Sequence, residues 1–184
     1  MDTGMIAVRY ARALLEFAGE RAEAEKVYGE VGRLADAFVR EPSFRRALES
    51  PVLPASEKIA LVKTAAGGAV SESFDRFVGL VVRNRRESFL QSIALMYRDL
   101  YRKRCGIAVG SLETAVPVTP ETEERIAGLI ASETGGRVEL TTKVRPELIG
   151  GFVFEMNFRR LDASVAAQLR SIRRQFVERN RRIV

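Results

Sequence analysis

The side chains that most often carry chemistry near neutral pH are missing or isolated here. The 184 residues include no histidine and one cysteine, Cys105. Without an imidazole there is no Ser-His or Cys-His nucleophile pair, and a zinc site lacks its commonest ligand. Carboxylate chemistry stays open in principle. Cys105 follows Arg102, Lys103 and Arg104, and neighbouring cations lower a thiol pKa. With no second cysteine to resolve an oxidised form it reads as incidental, and no internal disulfide can form. The glycine pairs at 67–68, 135–136 and 150–151 fit neither G-x-G-x-x-G nor G-x-x-x-x-G-K-[ST], so they read as helix stops and turns rather than phosphate loops. No metal, cofactor or catalytic residue is expected.

Two residue sets point to binding instead. The last 26 residues hold eight arginines (159, 160, 170, 173, 174, 179, 181, 182) against Asp162 and Glu178. That cluster suits nucleic-acid phosphates, an acidic protein partner, or simply a solvated helix face with cations at its C-terminal end. The motifs of the known nucleic-acid readers are absent. The second set is apolar. A first helix over about Met5 to Gly19 shows a polar stripe of only Arg9, Arg12 and Glu16, and a fifth helix carries the unbroken run Phe77-Val78-Gly79-Leu80-Val81-Val82. Either both helices sit centrally in a bundle, buried on every side, or together they form a groove for an incoming amphipathic helix.

The elements that position these sets follow from periodicity. The pattern is helical as far as Cys105-Gly106 and strand-like alternation appears after it, dividing the chain into 1–105 and 106–184. In the first part a helix over about Ala22 to Val39 turns Val27, Val31, Leu34, Ala35 and Phe38 inward. Pro42 opens a short third helix, and a fourth runs from Ala55 to Ala66, stopped by Gly67-Gly68. Asp2 or Thr3 would cap the first helix and Ser71 or Ser73 the fifth, which ends near Arg83. A sixth covers about Glu87 to Arg104, with Leu90, Ile93, Tyr97, Leu100 and Tyr101 on one face. The second part reads as a strand over Ile107 to Val116, then a helix started by Thr119-Pro120-Glu121 and stopped at Gly135-Gly136. A strand follows in which Val138, Leu140, Thr142 and Val144 alternate with polar residues, then another over Phe152 to Met156. A last helix, capped by Asp162 or Ser164, has Val165, Leu169, Ile172 and Phe176 at helical spacing. The fold class is mainly α: a six-helix bundle followed by a small α+β domain.

The net charge of +6 is ordinary for solubility. The N-terminus has no basic stretch followed by an apolar core, and no apolar run approaches the roughly 20 residues of a membrane helix.

The order and spacing of several elements resemble one family. These are Arg9-Tyr10-Ala11-Arg12-Ala13-Leu14, Glu41-Pro42 with Leu48, Pro51 and Lys58, Phe77 through Leu80 with Asn84-Arg85-Arg86, and Tyr97-Arg98-Asp99-Leu100. In the second part they are Val144 to Gly151, then Leu161-Asp162-Ala163-Ser164 and Leu169. The chain resembles the delta subunits of rotary (F-type) ATP synthase, the family that includes the mitochondrial oligomycin-sensitivity-conferring protein. It departs from the family pattern at Arg145, where an acid is usual, and at Asn157-Phe158, where Gly-Asp is usual.

The resemblance implies a non-catalytic stator subunit, monomeric within its complex, peripheral at the cytoplasmic face of the membrane and bound to that membrane only through partners. It implies that the bundle grips N-terminal helices of the alpha subunits between its first and fifth helices. Tyr10, Ala13 and Leu14 would face that partner from the first, and Phe77, Leu80 and Val81 from the fifth. It implies further that the C-terminal domain holds the end of the b-subunit stalk, with Arg170, Arg173, Arg174 and Phe176 as the contact residues. The rival from another class is a nucleic-acid-binding protein using the arginine-rich last helix, whose binding would weaken steeply with salt.

Overall fold

The computed structural model describes residues 3–134, 136–156 and 159–181, without the side chains of Thr3, Leu129, Glu133, Thr134 and 175–181. The protein is mainly helical with a small sheet, and it divides into two compact units, Met1–Cys105 and Gly106–Val184.

The first unit contains α1 (Thr3–Glu20), α2 (Ala24–Arg40), α3 (Pro42–Glu49), α4 (Ala55–Ala65), α5 (Glu72–Arg83) and α6 (Leu90–Cys105). Glu87–Phe89, expected as the first turn of α6, is a tighter 3-10 turn that leads into it. Thr3 lies within α1 rather than ahead of it, and Asp2, the other candidate cap, lies outside the described residues.

Small residues let α1 approach its neighbours closely: Ala7, Ala11 and Ala18 are buried beside Leu14 and Leu15. The opposing face of α6 supplies Leu90, Ile93, Ala94, Tyr97 and Tyr101, and α2 supplies Val27, Val31, Leu34 and Ala35. Each large apolar side chain fully buried here contributes about 1.5–3 kcal/mol relative to exposure. Tyr97 is wholly buried, yet its hydroxyl donates to the Ala24 carbonyl at 3.1 Å. Burial pushes its ionisation well above the ordinary phenol range, so it stays a neutral donor.

α2 also fixes where α5 begins. A helix start leaves four N–H groups without intrahelical partners. Ser71 caps α5, its hydroxyl oxygen accepting from Phe74 N–H at 3.3 Å. Its own N–H and hydroxyl donate to the two oxygens of the buried Glu30, while Ser73 N–H donates to Glu23 Oε2 at 3.0 Å. Of the two candidate caps, Ser71 has the role and Ser73 lies in the first turn. Arg33 closes the other side of the loop, its Nε donating to the Ala66 carbonyl at 2.6 Å where α4 ends.

The unbroken apolar run of α5 does not have the all-round burial that its sequence suggests. Phe74, Phe77, Val78, Val81 and Val82 are buried, but Leu80 is 47% exposed. One side of α5 is therefore open.

The second unit contains β1 (Ala108–Thr114), α7 (Pro120–Thr134), β2 (Val138–Val144), β3 (Phe152–Met156), β4 (Arg159–Asp162) and α8 (Val165–Arg181). The sheet order is β2-β1-β3-β4. β1 and β2 run parallel, joined by the crossover helix α7, and the other pairs are antiparallel. Leu112 at the centre of β1 is level with Thr142 and Phe154. Gly110 leaves room beside it: a β-carbon there would lie 3.0 Å from Phe154 Cε2 and 3.3 Å from Leu140 Cδ2. Gly151, at φ +74°, turns the chain into β3, and any side chain there would run into the Ala163 carbonyl. Val144, the last of the alternating apolar positions, is exposed at the end of edge strand β2. Gly135, the expected stop of α7, lies outside the described residues, as do Asn157 and Phe158.

β4 was not expected from the sequence, and all four of its residues are exposed. It ends at Asp162, whose Oδ1 accepts from both the N–H (3.1 Å) and the hydroxyl (2.6 Å) of Ser164. Ser164 Oγ in turn accepts from Ala167 N–H at 3.2 Å. The two candidate caps thus act in series at the start of α8. In the described part of α8 the apolar stripe is open: Val165, Leu169 and Ile172 are 37%, 52% and 48% exposed.

Candidate functional site

α1 and α5 lie side by side, and between them opens a groove of about 770 Å³. From α1 it is lined by Arg9, Tyr10, Ala13, Leu14 and Phe17, from α5 by Arg76, Phe77, Gly79, Leu80 and Arg83, and from the following turn by Arg86. Side chains three and four apart share a helix face. Tyr10, Ala13, Leu14 and Phe17 therefore make one apolar wall, and Phe77 and Leu80 the other.

The structure brings five of the six residues named from the family resemblance to this groove. The sixth, Val81, is a correction. It lies next to Leu80 in sequence but about 100° further round the helix, where it is completely buried in the bundle. It supports the groove wall from behind and has no face for a partner.

Tyr10 organises one end of the groove. Its hydroxyl oxygen accepts from Asn84 Nδ2 and from Arg86 Nη1, both at 3.0 Å. The Arg86 guanidinium carbon lies 5.2 Å from the ring centroid, and the edge of Phe77 packs at 6.3 Å. A cation over an aromatic face is attracted by the ring quadrupole. Tyr10 therefore ties α1 to the turn that ends α5, and the spacing of the two walls depends on it. Neither Asn84 nor Arg86 was legible as a Tyr10 partner, because the contacts span more than seventy residues of sequence. Arg9, from the polar stripe of the first helix, stands at the groove with Arg76 and Arg83, and Gly79 leaves bare backbone in its wall.

The second candidate site is α8. Arg170, Arg173 and Arg174 are exposed there, and Arg170 lies 3.9 Å from Asp162 Oδ2. They share the helix with the uncovered Leu169 and Ile172, so charge and apolar surface are offered together. Phe176 falls among the side chains outside the described residues. Arg145, one of the departures from the family pattern, makes a 2.8 Å ion pair with Glu113 on β1. The replacement of the usual acid is thus matched by a carboxylate across the fold. Among the described residues no three acidic or cysteine side chains converge as metal ligands would, and no helix is long and apolar enough to cross a membrane.

Together these features define a two-unit, mainly helical protein with an open, largely apolar groove between two of its helices. A family model described as ATP synthase delta (OSCP) subunit matches residues 6–176. The chain belongs to this family. It is 50% identical to the ATP synthase subunit delta of Phocaeicola vulgatus and 46% identical to that of Bacteroides thetaiotaomicron, in each case over the whole of both chains. It is 36% identical to the subunit delta of Heliobacterium modesticaldum over 94% of each. A chain in the cryo-EM structure of the Toxoplasma gondii mitochondrial ATP synthase hexamer shares the fold. Its TM-score is 0.66 at 21% identity, covering 93% of this chain and 97% of that one.

Proposed function

We propose that this protein is a non-catalytic stator subunit of F-type ATP synthase, holding the catalytic head against the peripheral stalk while the rotor turns. In this reading α1–α6 act as one six-helix bundle whose α1–α5 groove receives the N-terminal helix of an alpha subunit. The second unit receives the end of the b-subunit stalk along α8. The observation that carries the reading is the groove itself: a largely apolar channel whose open surface comes from Tyr10, Ala13, Phe17 and Leu80, above the buried Leu14 and Phe77. Soluble proteins seldom leave such surface open unless a partner covers it.

The chain supplies mechanical coupling and the complex supplies the reaction. Two linked grips suit that task, because tethering the second binding event raises overall hold by orders of magnitude without new contacts. The subunit sits peripherally, at the cytoplasmic face, and reaches the membrane through its partners alone. Nucleic-acid binding by the α8 arginines has no support among the relatives, which are ATP synthase subunits.

The test is capture from cell extract with the full chain and with a chain ending at Cys105. The full chain should bring down alpha, beta and b subunits. The shortened one should keep alpha and lose b. Loss of alpha with retention of b would reverse the assignment of the two units, and capture of nucleic acid in place of either would sink it.

A further inference from the structure

The groove has a property that an apolar slot for a helix does not require. Of the eleven described residues that line it, four are arginines, Arg9, Arg76, Arg83 and Arg86, and none is acidic. Two of these guanidinium groups are engaged within the unit: Arg76 pairs with Glu72 one turn earlier, and Arg86 holds Tyr10. Arg9 on α1 and Arg83 on α5 pair with no described residue. The carboxylates of α5 cannot compensate Arg83, because Glu72 also holds Arg21 at 2.9 Å and Asp75 holds Lys63 at 2.7 Å. Two exposed, uncompensated cations therefore stand on opposite walls of one apolar channel, on a chain already at +6. Covering the channel with a neutral or basic helix would bring these charges toward apolar surface and strip part of their water without return. A carboxylate on the covering helix would instead form a charge-assisted, geometrically matched pair with each guanidinium.

We propose that Arg9 and Arg83 read carboxylates on the flanks of the helix that fills this groove. The groove then selects an amphipathic helix with an apolar ridge bordered by Asp or Glu, and discriminates against one bordered by Lys or Arg. The proposal rests on the reading above, in which the occupant is the N-terminal segment of the alpha subunit.

The experiment uses the full chain, a synthetic peptide of that segment, and the same peptide with every Asp and Glu replaced by its amide. Affinities are measured for wild type, for Arg9→Gln/Arg83→Gln and for Leu80→Asp, with circular dichroism as the folding control. Both arginines are solvent-exposed, so the double variant should fold as wild type. Wild type should bind the native peptide about two- to thirtyfold more tightly than the double variant does, the range expected for two partly exposed ion pairs. The amide peptide should bind both proteins equally, at the weaker level. Wild-type affinity should also fall from about 0.1 to about 1 M salt, as the screening length shrinks from ~10 to ~3 Å, and the double variant should lose most of that slope.

Equal affinity of the two peptides for wild type would overturn the proposal, as would a double variant that keeps wild-type affinity and slope. A native peptide that lacks acidic flanks yet binds tightly would overturn it too. Failure of the functional reading looks different: neither peptide binds wild type at any salt concentration, and Leu80→Asp changes nothing. That result would overturn the reading and the proposal with it.

Discussion

The buried carboxylate of Glu30 accepts twice from one residue, Ser71, taking its backbone N–H at 2.6 Å and its hydroxyl at 2.7 Å. Glu30 belongs to the middle of α2 and Ser71 is the cap of α5. The pair therefore sets the starting point of the helix that forms one groove wall. Removing the carboxylate orphans two buried donors at the positive end of a helix. Glu30→Ala should destabilise the first unit by about 2–4 kcal/mol, and adding Ser71→Ala should cost little more because the partners are shared. All four tyrosines, at 10, 28, 97 and 101, lie in this unit. Tyrosine fluorescence during urea unfolding of the full chain therefore reports it selectively.

Leu80 and Val81 are neighbours with opposite surroundings. Leu80→Asp should leave the fold intact and weaken alpha-peptide binding by about 1.5–3 kcal/mol, because it removes an exposed apolar anchor and sets a carboxylate against the occupant's apolar ridge. Val81→Asp should unfold the first unit, since the same charge would enter a completely buried position. Circular dichroism and peptide titration on both variants separate wall from core. A folded Val81→Asp chain would show that the packing described for α5 is wrong.

Gly79 tests how closely the occupant approaches. Glycine inside a helix costs about 0.5–1 kcal/mol relative to alanine, and nothing lies within 4 Å of a β-carbon placed at Gly79. The chain's own packing does not call for the glycine. Gly79→Ala should therefore raise the thermal midpoint of the first unit while lowering alpha-peptide affinity, as overpacking an interface does. Higher stability with unchanged affinity would place the occupant's backbone away from this point.

The cap of α8 should respond to acid. Asp162 is held below the usual carboxylate range, first by the Ser164 hydroxyl and then by the Ser164 N–H. A carboxyl depressed in the folded state contributes stability above its unfolded pKa of about 3.9, and that contribution is lost as pH falls through the lower folded value. The Ala167 amide resonance, which reports the Ser164 cap, should stay constant from about pH 6 to pH 4 and move below that. In Asp162→Asn the low-pH movement should be absent. A wild-type transition well above pH 4 would contradict the depressed value.

Much of this was legible in the sequence, because long periodic segments state their own burial. Val27, Val31 and Leu34 on α2, and Leu90, Ile93 and Tyr97 on α6, repeat at helical spacing and are buried as that spacing implies. What stayed hidden depends on contacts that no local pattern encodes. Arg159-Arg160-Leu161-Asp162 forms β4 through backbone bonds to β3 with no buried side chain, so there was no alternation to read. Leu80-Val81-Val82 offers three apolar residues in a row, and periodicity alone cannot choose which one faces out. Glu30 reads as a polar residue on an otherwise apolar helix face. Only the approach of Ser71, forty-one residues later, turns it into a structural acceptor. The groove's apolar walls were therefore foreseeable and its charged rim was not.

That rim has a consequence for a part of a proton-driven machine. Among the described residues that line the groove every ionic group is a guanidinium, which keeps its proton at any pH a cell survives. Imidazoles, amines and carboxylates, whose charge follows the surrounding acidity, are absent from the described lining. A groove lined this way holds the same charge whatever the acidity of the adjacent solution. The groove thus brings to a contact a charge that the surrounding acidity does not change, and any pH dependence of that contact comes from its occupant.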